Sequence, residues 1–445
     1  MNASLNHKSV AVIGLGISNI AVIGYLLKHD LKRLTVYDTR SNPPYVDELP
    51  GGIDLRLGPL NADELCTYDI LVVSPGLSVE MPEIVKARKA GALITGDIEL
   101  FSFEAKAPVI GITGSNGKST VTALVGYMIE QAGLEVAVGA NFGHAVFDIL
   151  SDSVDVYVLE LSSFELETTY SLELAAGTIL NISEDHLDRY QGSLEKYADA
   201  KARIYTHCHN IIVNRDDKAT YPKDGSPVKA SFGLDNQDYG RESDGHTTYL
   251  TVRGKRVLDV RDLIICGTHN ELNALAAMAL ADCVGIPRDA QIRALKSFTG
   301  LEHRCQLVRE LDGVSFYNDS KATNVASAEA AIRGLSPRHE RGILLLAGGL
   351  GKGQDFTPLK QYIGREVSEV FCFGRDSAQI MALSEEHCHQ CLNLRQAINE
   401  AYAMAKRGQA VLLSPACASF DQFKGFEERG RVFANLVNHL EVKDD

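Results

Sequence analysis

A glycine-rich turn between an apolar run and a helical pattern constrains this chain most strongly. Residues 107–112 are largely apolar and predict a buried strand, and residues 121–131 have the apolar spacing of a helix that Gly133 would end. The turn between them, residues 111–120, reads GITGSNGKST. A strand, a glycine-rich turn and a helix in this order are typical of a phosphate-binding loop.

The residues of this turn predict how it would hold a triphosphate. Backbone N–H groups would surround the phosphate oxygens, Lys118 would reach the β- and γ-phosphates, and a hydroxyl would hold Mg²⁺. The usual pattern has a glycine where this chain has Ile112, so the loop is a variant, and the alternative is an unrelated glycine-rich turn before a lysine. The residues expected to bind ATP here are Gly114, Ser115, Asn116, Gly117, Lys118, Ser119 and Thr120.

Three α/β segments follow from the length and the pattern of the chain. Its 445 residues suit about three domains. Short apolar runs alternate with helical stretches, which predicts parallel sheets covered by helices. We place an N-terminal Rossmann-like domain at 1–96, a central phosphate-loop ATPase domain at 97–300 and a C-terminal Rossmann-like α/β domain at 301–445.

The first turn of the chain is close to a dinucleotide-binding fingerprint. Residues 14–19 follow the first predicted strand, but Asn19 stands where the third glycine belongs. An NAD-dependent oxidoreductase is therefore one hypothesis. The same geometry binds any diphosphate at a helix N-terminus, and Thr39 and Arg40 after the second strand would suit a nucleotide diphosphate.

Charge and hydropathy argue against several classes of protein. The net charge of -14 argues against a nucleic-acid or anionic-membrane surface as the main partner. Glycines and polar residues interrupt residues 10–27, the stretch that could mimic a signal peptide or a membrane span. We expect a monomeric cytoplasmic protein that binds no nucleic acid and does not insert into a membrane.

Nine cysteines are scattered along the chain, as expected of reduced thiols. The run HCHQC at 387–391 has the CxxC spacing of a metal or redox site, but no second ligand pair lies near it in the sequence. We expect a surface turn at 387–391, followed by a helix at 394–406.

A set of short motifs spans all three segments. They are residues 113–119, 186–188, 269–270, 302–304 and 318–324. In this order they resemble the Mur ligase family, ATP-dependent amide-bond-forming enzymes that build the peptide of bacterial peptidoglycan. The N-terminal turn and residues 38–40 and 414–430 look most like the member that joins D-glutamate to UDP-N-acetylmuramoyl-L-alanine.

The resemblance implies a mechanism and a metal site. ATP would convert the substrate carboxylate into an acyl phosphate, which the amine of D-glutamate would then attack. Two Mg²⁺ ions are implied, and the family's equivalent of Lys201 is carbamylated, which would make it a carboxylate-like ligand. The implied catalytic residues are Lys118, His186 and Lys201. The implied metal ligands are Ser119, Glu160, His186 and Lys201.

The remaining contacts are also implied by the resemblance. Further ATP contacts are implied for Asn270, Asn273, Arg304, Asp319 and Lys321. Contacts to the UDP-substrate are implied for Ile17, Ser18, Thr39, Arg40, Gly76, Asn141 and His186. Contacts to D-glutamate are implied for Thr323, Lys352, Ser419 and Phe426.

Glu165 departs from the family pattern. It stands where a glutamine is expected in the closest relatives. An ionised carboxylate cannot donate a hydrogen bond to a substrate oxygen, so we assign Glu165 no substrate contact.

Alternatives to this ligase remain open at the level of sequence. One is a sibling ligase, either one that adds another amino acid or one that adds glutamates to folate. The others are the NAD-dependent oxidoreductase and a non-catalytic protein that retains the fold. The glycine-rich run 348–353 could also be a second phosphate loop, although Lys352 is not followed by Ser or Thr.

Overall fold

Three sheets, each covered by helices, form the protein. The structure is a computed structural model, and it describes residues 5–186, 189–265 and 267–442. Most strand pairs are parallel, which confirms the predicted α/β class. By contacts, the chain divides into two compact units: Met1–Val260 with Leu272–Leu295, and Arg261–Glu271 with Lys296–Asp445. The first unit holds two of the sheets and the second unit holds the third.

The N-terminal sheet has five parallel strands in the order β3-β2-β1-β4-β5. All five residues of β1 are buried, as expected of a central strand with apolar residues on both faces. The elements are β1 (Ser9–Ile13), α1 (Ile17–Leu26), β2 (Arg33–Asp38), β3 (Asp54–Leu57), α2 (Ala62–Leu65), β4 (Ile70–Val73), α3 (Pro82–Lys89), β5 (Leu93–Thr95) and α4 (Asp97–Ser102).

The central sheet has the order β14-β13-β12-β11-β10-β9-β6-β8-β7. It is parallel from β7 to β12, and β12 to β14 form an antiparallel extension. The elements are β6 (Val109–Thr113), α5 (Lys118–Gln131), β7 (Val136–Ala140), β8 (Val156–Glu160), α6 (Ser163–Glu167), β9 (Ala176–Ile179), α7 (Leu194–Ala202), β10 (Ile211–Asn214), β11 (Val228–Phe232), β12 (Tyr239–Ser243), β13 (Thr248–Val252), β14 (Lys255–Asp259), α8 (Thr268–Cys283) and α9 (Arg288–Ser297).

The third sheet has the order β15-β16-β20-β17-β18-β19, with one antiparallel edge pair, β15 and β16. The elements are β15 (Gln306–Leu311), β16 (Val314–Asn318), α10 (Val325–Leu335), β17 (Ile343–Gly348), β18 (Val367–Phe373), α11 (Ser377–Met381), β19 (Cys388–Gln390), α12 (Leu394–Met404), β20 (Ala410–Leu413) and α13 (Phe426–Asn438). Within the described ranges, no helix is both long and apolar enough to cross a membrane.

The expected surface turn at 387–391 is wrong. Residues 388–390 form the edge strand β19, which pairs with β18, and both Cys388 and Cys391 are buried. The physical reason is that a cysteine packs as a small apolar residue, and the sequence pattern does not separate this role from metal binding. Across the described residues, no group of three or more His, Cys, Asp or Glu side chains could hold a metal ion.

Candidate active site

The phosphate loop leaves β6 at Thr113 and enters α5 at Lys118, three residues before the predicted helix start. Gly114 and Gly117 have φ angles of 148° and 84°, a region that favours glycine. A Cβ on Gly117 would also lie 2.5 Å from Oδ1 of Asn273. The first turn of α5 has no capping side chain and no acidic residue, so its N–H groups favour an anionic ligand.

Side chains of the loop hold its shape. Nζ of Lys118 donates to the carbonyl oxygens of Gly114 at 2.9 Å and Ser115 at 3.1 Å, so the ammonium group lies along the loop itself. The Ser115 hydroxyl accepts from the N–H of Ser183 at 2.9 Å, and the N–H of Asn116 donates to Asn181 at 2.8 Å. These contacts tie the loop to the segment after β9. Ser119 and Thr120 follow on the first turn of α5 and are partly exposed.

A buried carboxylate lies at the end of the neighbouring strand β8. Glu160 is 3% exposed, and its Oε1 accepts from Nδ2 of Asn141 at 2.8 Å. Its Oε2 is buried and has no hydrogen-bond partner among the described residues. Carboxylate and hydroxyl oxygens are the ligands that Mg²⁺ prefers, so the free oxygen of Glu160 and the Ser119 hydroxyl suit a magnesium ion.

Lys201 on α7 is buried beside the phosphate loop. It is 2% exposed, and its Nζ donates to the Thr113 hydroxyl at 3.2 Å and lies 4.7 Å from the ring centroid of Tyr197. Burial, together with the positive charge of Lys118, lowers the pKa of Lys201 to about 7. A large fraction of this lysine is therefore a neutral, nucleophilic amine near neutral pH.

His186 lies on the segment after β9, with its side chain about half exposed. Its ring contacts Phe164 edge to face, with 5.0 Å between the ring centroids, and its φ of 49° marks a tight turn. The other two residues of the motif at 186–188 lie outside the described residues.

Arg189 lies beside His186 and was missed by the sequence analysis. Its guanidinium lies 4.2 Å from the centroid of Phe164, pairs with Glu167 at 2.6 Å and donates to the carbonyl of Pro75 at 3.1 Å. It therefore connects the central domain to the turn after β4 in the N-terminal domain. The signal available in the sequence is its position directly after the motif at 186–188.

The N-terminal residues predicted for the UDP-substrate lie on turns that follow three adjacent strands. Because β2, β1 and β4 are parallel, their carboxyl ends share one edge of the sheet. The residues on these turns are Ile17 and Ser18 after β1, Thr39 and Arg40 after β2, and Gly76 after β4, and all are exposed or partly exposed. Asn141 follows β7 in the central domain and contacts Glu160 instead.

Contacts of Asp38 bear on the dinucleotide hypothesis. One oxygen accepts the N–H of Leu15 at 2.7 Å, and both oxygens accept from Arg40. Burial raises the pKa of Asp38, but the hydrogen bonds from Arg40 and Leu15 outweigh this effect and the pKa is lowered. Asp38 holds the turn together, so its carboxylate is already engaged where an NAD-binding protein would use it for the ribose.

Glu165 forms a capping box at the start of α6. Its Oε2 accepts from the N–H and the hydroxyl of Ser162, both at 2.7 Å, and the Ser162 hydroxyl accepts the N–H of Glu165. Burial and the nearby carboxyl of Asp97 raise the pKa of Glu165. A protonated carboxyl can donate a hydrogen bond as glutamine does, so this departure is chemically milder than its sequence indicates.

In the second unit, Asp319 and Lys321 follow β16. Asp319 accepts from the Ser414 hydroxyl at 2.7 Å and the N–H of Cys305 at 3.1 Å, and burial raises its pKa to about 7. The charge of Arg304 acts on the same carboxyl. The Lys321 ammonium lies 5.1 Å from the ring centroid of Phe426. The structure thus groups four of the predicted residues: Arg304, Asp319, Lys321 and Phe426.

Three of the residues predicted for D-glutamate, Thr323, Lys352 and Ser419, lie on loops at the same edge of the third sheet, and the fourth, Phe426, is the first residue of α13. A β-bridge pairs Leu350 with Ala418, which sets the loop of Lys352 beside that of Ser419. Ser419 is buried, whereas Lys352 and Thr323 are exposed and partly exposed. The segment after β17 continues into this bridge instead of an α-helix, so the run 348–353 lacks the strand–loop–helix order of a phosphate loop.

Asn270 and Asn273 lie on the first turns of α8. Asn273 belongs to the first unit and lies against Gly117 of the phosphate loop. Asn270 belongs to the second unit, and its N–H donates to the carbonyl of Gly267 at 2.8 Å.

Arg429 on α13 is a buried residue to which the sequence analysis assigned no role. It is 0% exposed and donates to the hydroxyl and carbonyl of Ser320, at 3.0 and 2.8 Å, and to the carbonyl of Cys417 at 3.0 Å. Burial lowers its pKa to about 10. It thereby ties the loop after β16 to the loop after β20. In the sequence, Arg429, Phe433 and Val437 follow one another at intervals of four residues, which places Arg429 on the same face of α13 as two apolar residues that are buried.

Replacing Arg429 with alanine is expected to lower the free energy of unfolding by about 2–4 kcal/mol, because two buried carbonyl groups would lose their donors. Thermal denaturation would measure the loss. Arg431→Ala on the exposed side of the same helix is the matched control and is expected to change stability little. Equal melting temperatures for the two variants would contradict the role of Arg429.

Glu165→Gln is expected to change how stability depends on pH. The unfolded chain ionises Glu165 near its ordinary pKa of about 4.3, whereas the folded protein keeps the proton to higher pH. The contribution of Glu165 to the free energy of unfolding is therefore fully present at low pH. It is lost as pH rises, by up to about 1.4 kcal/mol per pH unit. Between about pH 5 and about pH 8, the melting temperature of the parent chain should fall more than that of Glu165→Gln.

Glu173→Gln, at an exposed carboxyl on the segment after α6, is the control for this measurement. It is expected to follow the parent chain. A parent chain and Glu165→Gln variant that lose stability in parallel over this range would show that Glu165 ionises normally in the folded protein.

Three family models match successive parts of the chain. The Mur ligase MurD-like N-terminal domain matches residues 8–96, the Mur ligase middle domain matches 112–281, and the Mur ligase glutamate ligase domain matches 303–417. Together they include most of the residues described above, from the turn after β1 to the loop after β20.

Curated relatives and solved structures agree with this match. The UDP-N-acetylmuramoylalanine--D-glutamate ligases of Escherichia coli (strain K12) and Salmonella paratyphi A are each 47% identical over 440 residues, which is 98% of this chain and 100% of theirs. Among solved structures, UDP-N-acetylmuramate-alanine ligase MurC from Thermotoga maritima is similar in fold, with a TM-score of 0.59 at 20% identity over 97% of this chain and 99% of that one. A UDP-N-acetylmuramoyl-L-alanyl-D-glutamate--2,6-diaminopimelate ligase has a TM-score of 0.62 at 19% identity, over 86% and 95% of the two chains. The identity over the whole length of the relatives shows that this chain belongs to the Mur ligase family.

Proposed function

We propose that this Mur ligase uses ATP to join D-glutamate to UDP-N-acetylmuramoyl-L-alanine, with release of ADP and phosphate, in the synthesis of peptidoglycan precursors. The observation that carries the proposal is the identity of 47% to UDP-N-acetylmuramoylalanine--D-glutamate ligases over their full length. The phosphate loop, the carboxylate of Glu160 and the buried Lys201 supply the groups that this chemistry requires.

The reaction makes a poor electrophile reactive. The γ-phosphoryl group of ATP is transferred to the alanine carboxylate, the amine of D-glutamate attacks the resulting acyl phosphate, and phosphate leaves as the amide forms. The N–H groups at the start of α5 and the ammonium of Lys118 would neutralise the triphosphate. When bound, Mg²⁺ would supply charge neutralisation at the phosphates, held by Glu160 and Ser119.

We further propose that Lys201 is carbamylated and, with His186, holds a second Mg²⁺. In carbamate formation the nitrogen of a neutral amine bonds to the carbon of carbon dioxide and one N–H proton is released to solvent, and the lowered pKa of Lys201 supplies the neutral form near pH 7. The product is an anion, which a metal ion would stabilise in this buried position.

Residues of the N-terminal and third sheets would recognise the two remaining substrates and the nucleotide. The exposed turns after β1, β2 and β4 would bind the UDP moiety, as the C-terminal edge of a parallel sheet does for nucleotides. Asp319, Arg304 and Lys321 would contact ATP, together with the two asparagines of α8, Asn270 and Asn273.

The D-glutamate site would lie on the loops of Lys352 and Ser419. A lysine facing the side-chain carboxylate would select glutamate over neutral amino acids. Thr323 and Phe426 would complete the pocket. Because its substrates are water-soluble nucleotides and an amino acid, we propose that the protein acts in the cytoplasm. We also propose that it acts as a monomer.

Phosphate release tests the proposed reaction. ATP and UDP-N-acetylmuramoyl-L-alanine would be supplied with D-glutamate, L-glutamate, meso-diaminopimelate or L-lysine in separate assays. We expect release with D-glutamate alone. Release with a different amino acid would reassign the specificity to a sibling ligase, and no release with any of the four would overturn the ligase proposal.

Lys201→Ala is expected to reduce kcat by at least about 100-fold, because the ligand that positions the second metal would be lost. Short carboxylic acids added to the variant should restore part of the activity by occupying the vacated position. Lys196→Ala, on an exposed position of the same helix, is the matched control. A Lys201→Ala variant that is inactive and never rescued would count against the carbamate.

A further inference from the structure

A cavity of about 430 Å³ lies outside the site described above, between the N-terminal and central domains of the first unit. β5 and α4 form one wall, and Tyr170, Ser171 and His207 form the other. Its volume is within the range of roughly 300–1,000 Å³ that is typical of small-molecule sites. Much of its lining is apolar, with contributions from Leu5, Ile70, Leu93, Leu100 and Phe103. None of the residues predicted for the ligase reaction lines it.

Two buried polar groups in the walls have unused hydrogen-bonding capacity. Thr95 is 1% exposed, and its hydroxyl has no hydrogen-bond partner among the described residues. Glu99 is 5% exposed, and its Oε2 accepts the N–H groups of Tyr170 at 2.6 Å and Ser171 at 2.8 Å. Its other carboxylate oxygen has no hydrogen bond within the described part of the chain. An unpaired buried oxygen is unfavourable, so the Thr95 hydroxyl would gain from a hydrogen-bond donor, and the second oxygen of Glu99 can accept a further hydrogen bond.

The charges around the cavity favour a donor over an anion. Arg88 also lines it, but its guanidinium already donates to Glu80 at 3.2 Å and to the carbonyl of Val79 at 2.7 Å. Because the guanidinium of Arg88 is engaged in this way, the charged group that can still form a hydrogen bond to a ligand is the carboxylate of Glu99, through its second oxygen. An anionic ligand would be repelled by it, whereas an amine or a hydroxyl would be attracted.

We propose that this cavity is a binding site for a small apolar molecule that carries one hydrogen-bond-donating head, an amine or a hydroxyl. The apolar body would pack against Leu93, Leu100 and Phe103, and the head would donate to Glu99 and Thr95. Apolar walls with a few placed polar groups are the usual composition of small-molecule sites.

Helix α4 connects this cavity to the turn that we assign to the UDP-substrate. Its Glu99 lines the cavity, while the carboxyl of Asp97, two residues earlier, lies close enough to Ser18 for that side chain to oppose the rise in the pKa of Asp97 that burial causes. The start of α4 is tightly packed, since a Cβ on Gly96 would lie 2.3 Å from the Thr168 hydroxyl. A ligand that holds α4 is therefore expected to change the KM for the UDP-substrate. This coupling rests on the proposed function, whereas binding itself does not.

Calorimetric titration of the full chain with three probes of similar size tests the site. The probes are tryptamine, 2-naphthol and 2-naphthoate, which carry an amine, a hydroxyl and a carboxylate. Tryptamine and 2-naphthol should bind once per chain, and 2-naphthoate should bind at least about tenfold more weakly. No binding of the first two, or equal binding of all three, would overturn the proposal.

Two variants locate the binding. Ser171→Phe would fill the cavity and should abolish binding of tryptamine. Thr95→Val keeps the shape of the side chain but removes the unpaired hydroxyl, so it should weaken binding about tenfold while raising the melting temperature. Thr35→Val is the matched control, because the buried Thr35 hydroxyl on β2 also has no hydrogen-bond partner in the described part of the chain but lies outside the cavity. It should raise the melting temperature and leave binding unchanged.

Thr95→Val keeps the test decisive if Ser171→Phe does not fold. Tryptamine binding that is the same in Thr95→Val, Thr35→Val and the parent chain would place the ligand elsewhere and overturn the proposal. In the enzyme assay, saturating tryptamine should change the KM for the UDP-substrate at least about twofold with kcat nearly constant. Binding that leaves this KM unchanged would overturn the coupling through α4.

Discussion

The parallel pairing of β6 with its neighbours β8 and β9 is the constraint on which the rest of the site depends. Parallel strands end at the same edge of a sheet, so Thr113 and Glu160 emerge side by side. The phosphate loop can leave β6 at this point only because Gly114 and Gly117 adopt positive φ angles. The same edge receives Lys201 from α7, which hydrogen-bonds to Thr113.

Burial then sets the chemistry of the groups gathered there. Water is excluded from Lys201, which lowers its pKa, and from Glu165, which raises its pKa. Glu160 retains an acceptor that no described protein group satisfies. Burial therefore favours the uncharged form of Lys201, the protonated form of Glu165 and a cation bound at Glu160. On a solvent-exposed surface the same residues would show none of these preferences.

Local patterns were enough to predict much of this architecture. The strand–loop–helix at residues 107–131, the alternation of strands and helices, and the α/β class were all predicted and are confirmed. The roles of the individual site residues stay predictions. Long-range packing was beyond the sequence analysis: Arg189 reaches Pro75 and Arg429 reaches Ser320 across more than a hundred residues of chain. The turn expected at 387–391 was wrong because strand pairing with β18 decided its conformation.

The sequence by itself determined the position of the phosphate loop, the residue types at the site and the family, since these depend on short motifs and their order. The tertiary structure decided which buried groups have no hydrogen-bond partner among the described residues, such as Oε2 of Glu160 and the hydroxyl of Thr95, and which charges are desolvated. The physical reason is that hydrogen-bond satisfaction and desolvation depend on all the atoms around a group, and most of those atoms come from distant parts of the chain.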